Sequence, residues 1–177
     1  NVLEIPKDFK KEEKKIVEVF KKSILPSLTP LAIDSAHPFP FLPNQSITMV
    51  CALINKKGKL SYSLVIFPPK LQRFFKVSNP NNFAKSEDII KKNIKVIFPD
   101  FKLKSFSLIR VIRDSDIEFE EEAEDLILSF ETALKKRRRG TVIGLYIQGR
   151  VEKKLLSFIK KSLKVSAERI FRVTSLL

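Results

Sequence analysis

Tryptophan is absent, and the 177 residues hold one histidine, one cysteine, one methionine and four glycines. A single cysteine excludes an internal disulfide and points to a reducing compartment. One histidine with one cysteine is too few for an ordinary zinc site. None of the four glycines stands in G-x-x-x-x-G-K-[ST] or G-x-G-x-x-G, which removes the common phosphate-cradling loops. No apolar run approaches the ~20 residues that a membrane-spanning helix needs. Residues 1–15 are charged and lack the apolar core of a signal peptide. Base stacking by exposed aromatics is poorly supplied: tyrosine numbers two, and most of the fifteen phenylalanines fall at core-facing positions. Phe74 and Phe75, flanked by Arg73 and Lys76, are the exception.

What is present is a basic chain with enough apolar residues to fold. Hydrophobic residues make up 44% and charged residues 31%, a balance typical of globular domains rather than disordered chains. Lys and Arg number 34 against 20 Asp and Glu, for a formal charge of +14. That excess favours anionic partners, whether nucleic acid, an acidic membrane or a phosphate polymer, without choosing among them. The chain opens on Asn1 and stops after a strand-like segment, which predicts a piece of a longer protein.

Prolines are concentrated at 26, 30, 38, 40 and 43, around Thr29-Pro30-Leu31-Ala32-Ile33-Asp34-Ser35-Ala36-His37-Pro38-Phe39-Pro40. Each proline fixes its own φ, removes a donor and pushes its predecessor toward extended geometry. Residues 29–45 therefore read as a stiff irregular connector, neither helix nor central strand. Before it, residues 7–25 read as an amphipathic helix with Ile16, Val17, Phe20, Ile24 and Leu25 on one stripe, ended by Pro26.

After it, residues 46–54 read as a strand buried on both faces, 55–59 as a hairpin turn around Gly58, and 60–67 as the returning strand, stopped by Pro68 and Pro69. Residues 70–84 look irregular. Ser86 is placed as the N-cap of a helix that buries Ile89, Ile90, Ile94 and Ile97. A strand follows at 103–113. The clearest periodicity runs from 118 to 139, a helix with Glu118, Glu120, Glu121 and Glu122 at its start and Lys135, Lys136, Arg137, Arg138 and Arg139 at its end, closed by Gly140. Strand 141–148, helix 151–163 and strand 169–174 complete the chain. The expectation is one α+β domain over 1–177: lead-in helix 1–28, connector 29–45, and core 46–177 with a mixed β-sheet covered by helices.

Few residues suggest chemistry. Asp34 and His37 could form a dyad, but no nucleophile motif accompanies them, and bracing of the proline turn is the simpler account. Residues 118–125 carry carboxylates where a helix start favours them electrostatically, so a solvated face outweighs a metal site. Cys51 lies among apolar strand residues and reads as inert core. The Lys135–Arg139 cluster is the best candidate for polyanion contact, balanced against plain complementation of a helix C-terminus.

These segments together carry a resemblance. Residues 29–40 resemble the T-P-L-A-[VI]-D-x-A-H-P-F-P segment of bacterial ATP-dependent polyphosphate kinases. Phe20-Lys21-Lys22-Ser23-Ile24-Leu25-Pro26 is similar to that family's lead-in helix. Arg110-Val111-Ile112-Arg113-Asp114-Ser115-Asp116-Ile117 resembles its F-R-V-T-R-[ND]-[AS]-D-[IL] segment. Glu124-Asp125-Leu126 and Arg137-Arg138-Arg139-Gly140 match the next segment in order and spacing. Ile109, Ile112 and Gly144 depart from the family pattern, where Phe, Thr and a basic residue are usual.

The resemblance implies the head (middle) domain of a four-part enzyme that transfers the terminal phosphate of ATP reversibly onto polyphosphate through a phosphohistidine. That histidine and most nucleotide contacts belong to the family's C-terminal part, so His37 is not it, and no catalytic, cofactor or metal residue is expected here. Thr29, Pro30, Asp34, His37, Pro38 and Pro40 are then structural. The whole enzyme is implied to be a cytoplasmic, ATP- and Mg²⁺-using phosphoprotein, with some membrane association conceivable. Implied partners of this domain are the rest of its own polypeptide, a second copy in a homodimer or higher oligomer, and polyphosphate. A basic α+β module that binds nucleic acid is the alternative function, and a small hydrolase built on Asp34 and His37 a remoter one.

Overall fold

In a computed structural model, the described residues are 2–3, 12–34, 38–77, 82–114, 140–174 and 177. Nine strands and four α-helices are found among them: β1 (Val2–Leu3), α1 (Glu13–Val19), β2 (Thr29–Ile33), β3 (Ile47–Asn55), β4 (Leu60–Ile66), β5 (Phe74–Lys76), β6 (Phe83–Lys85), α2 (Ser86–Lys92), α3 (Ile94–Ile97), β7 (Phe101–Arg113), β8 (Val142–Gln148), α4 (Lys153–Leu163) and β9 (Ile170–Val173). The expected helix at 118–139 lies outside the described residues.

Six strands form one mixed sheet in the order β2-β4-β3-β7-β8-β9. Every neighbouring pair is antiparallel except β8 and β9, which run parallel with α4 between them in sequence. This is the expected α+β architecture. The alternation of β3 sorts two cores. Met49, Cys51 and Leu53 enter a core with Ile16, Phe20, Ile24, Ile89 and Ile90. Val50 and Ala52 enter the opposite core with Leu155, Ile159, Leu145 and Leu42. Both faces of the central strand are thus dry, which explains its uninterrupted apolar run. Thr48, fully buried on the Val50 side, leaves its hydroxyl without a partner among the described residues. Replacing it with valine keeps the shape and removes that desolvated group, so a gain of about 1 kcal/mol in denaturant unfolding is expected.

Several expectations are corrected. Residues 29–33 are not irregular; they form the edge strand β2 on β4, from Thr29 opposite Ile66 to Ile33 opposite Tyr62. Pro30 is tolerated because an edge strand needs no donor on its outer side. Pro26 does not stop the lead-in helix outright. The helix loosens into a π-turn (Phe20–Ile24), and Pro26 then sits inside a 3₁₀ turn (Leu25–Ser27). Residues 70–84 contain β5 and the first two residues of β6, which with β1 form a second sheet in the order β1-β6-β5. Three-residue strands are too short for their alternation to be legible in sequence. Ser86 is not the N-cap: Lys85 holds that place, while Ser86 is buried and its N–H donates to the Arg73 carbonyl at 2.8 Å.

Cys51 is buried, and desolvation pushes its thiol up to about 12. A thiol-disulfide reagent such as Ellman's should therefore leave the native chain unlabelled and react only after unfolding.

Candidate oxyanion cavity and connector brace

The connector leaves β2 at the sheet edge and crosses the face that α4 covers. Phe39 packs on Phe158 (centroids 6.0 Å apart), which itself stacks on Tyr62 at 3.8 Å. Leu42 is completely buried in that core. The connector then ties to the end of β7. Gln45, held at φ +60°, donates its N–H to the Val111 carbonyl at 2.8 Å, and Asn44 Oδ1 accepts the Arg113 N–H at 2.9 Å.

Arg113 is the centre of this attachment. Its Nε donates to the Leu42 carbonyl (2.8 Å), its Nη1 donates to the Gly140 carbonyl (2.7 Å), and its guanidinium lies 4.1 Å from the Phe41 ring centre. Burial lowers its pKa from the ordinary guanidinium value. A register shift between Ile112 and Arg113 leaves Ile143 as an extra residue opposite them. Such bulges re-aim a side chain, here the one that clamps the connector. Asn44, Arg113 and Gly140 thereby gather three segments distant in sequence. Gly140 is obligatory in that geometry, since a Cβ there would lie 1.9 Å from the Asp114 carbonyl oxygen. Pro40, Phe41, Arg113 and Gly140 line a surface hollow of about 500 Å³.

A larger cavity, about 670 Å³, opens on the opposite face, where Thr29, Ser46, Phe67, Leu71, Arg73 and Arg110 contribute to its wall. Arg73 belongs to a half-closed ion pair: Nε to Glu87 Oε2 at 3.3 Å and Nη2 to Glu87 Oε1 at 2.9 Å. Its Nη1 donates to the Leu177 carbonyl. Arg110 has no such relief, because its Nε is buried without a hydrogen-bond partner among the described residues.

Beside Glu87, Asp88 sits with Oδ2 3.7 Å from Lys85 Nζ, an ion-pair distance too long for a hydrogen bond. Burial raises its pKa from the ordinary 3.8, against an opposing pull from Lys85 and with a smaller push from Glu87. A raised folded pKa means the ionised form costs stability above that pKa, and the cost disappears below the unfolded value. Asp88→Asn should therefore stabilise the chain at pH 7, with the gain over the parent shrinking toward zero by pH 3.5 in parallel denaturation curves.

These elements meet their counterparts in known proteins. The "Polyphosphate kinase middle domain" family matches residues 11–177. The chain belongs to the polyphosphate kinase middle-domain family. A polyphosphate kinase of Erythrobacter litoralis is 42% identical over 130 residues, covering 73% of this chain and 18% of the relative. One from Streptomyces coelicolor is 31% identical over 163 residues, covering 91% of this chain and 22% of the relative. The chain thus spans about a fifth of the length of these curated relatives. The crystal structure of polyphosphate kinase from Porphyromonas gingivalis superposes with a TM-score of 0.77 at 19% identity, over 100% of this chain and 26% of that one, which establishes the shared fold.

Within this polyphosphate kinase middle domain, the residues singled out from sequence are dispersed. Thr29 lines the larger cavity and Pro40 the smaller hollow, on opposite sides of the sheet. Pro30 lies in β2, and Asp34 and Pro38 flank the part of the connector outside the described residues. His37, Lys135, Lys136, Arg137, Arg138 and Arg139 lie outside the described residues, although Gly140, which follows that basic run, lines the hollow. In the one aromatic–basic cluster, Phe75 is buried in β5 and Arg73 is paired, while Phe74 and Lys76 are exposed. Sequence reasoning missed Arg73, Arg110 and Arg113 as a set. Arg110 and Arg113 stood in a segment quoted only for resemblance, and Arg73 was grouped with the phenylalanines beside it. Among the described residues, no three or more His, Cys, Asp or Glu side chains are grouped to hold a metal ion, and no helix is long and apolar enough to cross a membrane.

Proposed function

We propose that this chain is the non-catalytic scaffold of a polyphosphate kinase, the enzyme that moves the terminal phosphate of ATP reversibly onto polyphosphate. The observation that carries the reading is the family match over residues 11–177 in a chain about a fifth as long as its relatives. Residues 1–177 act as one unit, with the lead-in helix and connector locked to the α+β core. ATP and Mg²⁺ are handled by the rest of the enzyme. Among the described residues, the carboxylates Glu87 and Glu152 are committed to Arg73, Ser105 and Lys104 rather than grouped as metal ligands. Phosphoryl transfer needs cation clamps and a positioned nucleophile in one place. The domain instead supplies rigidity, a surface for pairing with a second copy, and positive charge that attracts polyphosphate. It works in the cytoplasm.

Incubation of the chain with γ-labelled ATP and Mg²⁺ should give no polymer and no acid-labile phosphate on the protein, while sedimentation should reveal a dimer. Label retained on His37, or polymer made by the isolated chain, would refute the scaffold reading.

A further inference from the structure

We propose that the cavity beside Arg110 binds a small oxyanion carried on an apolar body, a phosphate monoester or a carboxylate. Charge accounting supports this. Of the two arginines on the wall, Arg73 is paired with Glu87 at 2.9 Å, whereas no ion pair of Arg110 is found among the described residues. Its Nε is buried and unpartnered among the described residues. That nitrogen is closed off from the cavity, so a ligand would meet Arg110 through the rest of its guanidinium, whose fork matches the two oxygens of a carboxylate or phosphate.

The rest of the wall defines the remainder of the ligand. Phe67 and Leu71, which pack in the core on this side of the sheet, present an apolar surface, and Thr29 and Ile66 also border the cavity. Ser46 contributes less as a donor, since its Oγ already donates to the Pro43 carbonyl at 2.8 Å. A volume of about 670 Å³ falls within the usual range of small-molecule sites, roughly 300–1,000 Å³. One uncompensated cation on an otherwise neutral wall selects one anionic group, not a long polyanion. This assignment rests on cavity geometry and stands apart from the scaffold reading.

The test is an amide NMR titration of the 177-residue chain with phenyl phosphate and with benzoate, using benzyl alcohol and inorganic phosphate as comparators. At least one of the two ring anions should shift the amides of Ser46, Ile47 and Leu71 saturably, and whichever binds tighter identifies the oxyanion. Benzyl alcohol and inorganic phosphate should each bind at least tenfold more weakly than that ring anion. Arg110→Met should weaken the ring anion at least tenfold, and Arg110→Lys by less. The proposal fails if neither ring anion shifts these amides, or if shifts are confined to surface lysines such as Lys160, Lys161 and Lys164. It fails equally if benzyl alcohol or inorganic phosphate matches the ring anion. The comparators need no variant, so misfolding of Arg110→Met leaves the test decisive, and a folded Arg110→Met that binds like the parent also overturns it.

Discussion

Arg113→Met is expected to lower the unfolding free energy by roughly 3 kcal/mol, from two charge-assisted hydrogen bonds at about 1.5 kcal/mol each and a smaller cation–π term. Leu42 is completely buried, and its carbonyl takes the Nε proton of Arg113. The Gly140 carbonyl takes an Nη1 proton. Methionine fills much of the same space but leaves both carbonyls short of a donor, and it loses the 4.1 Å contact with Phe41. Lysine keeps the charge yet offers a point donor in place of the fork, so Arg113→Lys should lie between the two. Urea unfolding of the three proteins checks this ranking. A methionine variant within about 0.5 kcal/mol of the parent would show that Gln45, Asn44 and the Leu42 side chain hold the connector unaided.

That dependence marks where sequence reasoning reached its limit. Elements longer than a few residues were legible because burial imposes a period. The apolar run of β3, the helical stripe Leu155, Ile159 and Leu163, and the turn at Gly58 (φ +78°) all stand where the pattern placed them. Short elements were not legible, since β5 and β6 have three residues each and their place is set by partners rather than alternation. Pro30 was read as a break because proline removes a donor, but the structure puts it on an edge where that loss is harmless. The arginines escaped for a different reason. A cationic residue looks the same in sequence whether it faces water, clamps a carbonyl or lines a cavity, and only long-range contacts such as Arg73 with Glu87 decide which. Family resemblance drew attention to segments 29–40 and 110–117, and within their described residues the contacts of Arg110 and Arg113 came from geometry.

Glu87→Ala is expected to cost about 3–5 kcal/mol, the usual penalty for stripping a buried pair of one partner. The two side chains are only 18% (Arg73) and 5% (Glu87) exposed. Without Glu87, the Arg73 guanidinium keeps the Leu177 main-chain oxygen as acceptor but loses the carboxylate side chain that grips both its Nε and Nη2. The pair also fixes local architecture, because Ser86, beside Glu87, gives its N–H to the Arg73 carbonyl at 2.8 Å, so the start of α2 and the entry to β5 are held together. Glu87 further sits in the first turn of α2, where a carboxylate is favoured by the helix dipole. The penalty is thus one of an orphaned charge, not of lost packing alone. Removing both partners at once separates the two: Arg73→Met with Glu87→Leu should recover most of the loss, since apolar residues of similar volume replace a costly pair. Arg73→Met alone and Glu87→Leu alone complete a double-mutant cycle, in which a coupling of at least about 1.5 kcal/mol is expected. A coupling near zero would mean that water, rather than Glu87, compensates the guanidinium at the wall of the cavity.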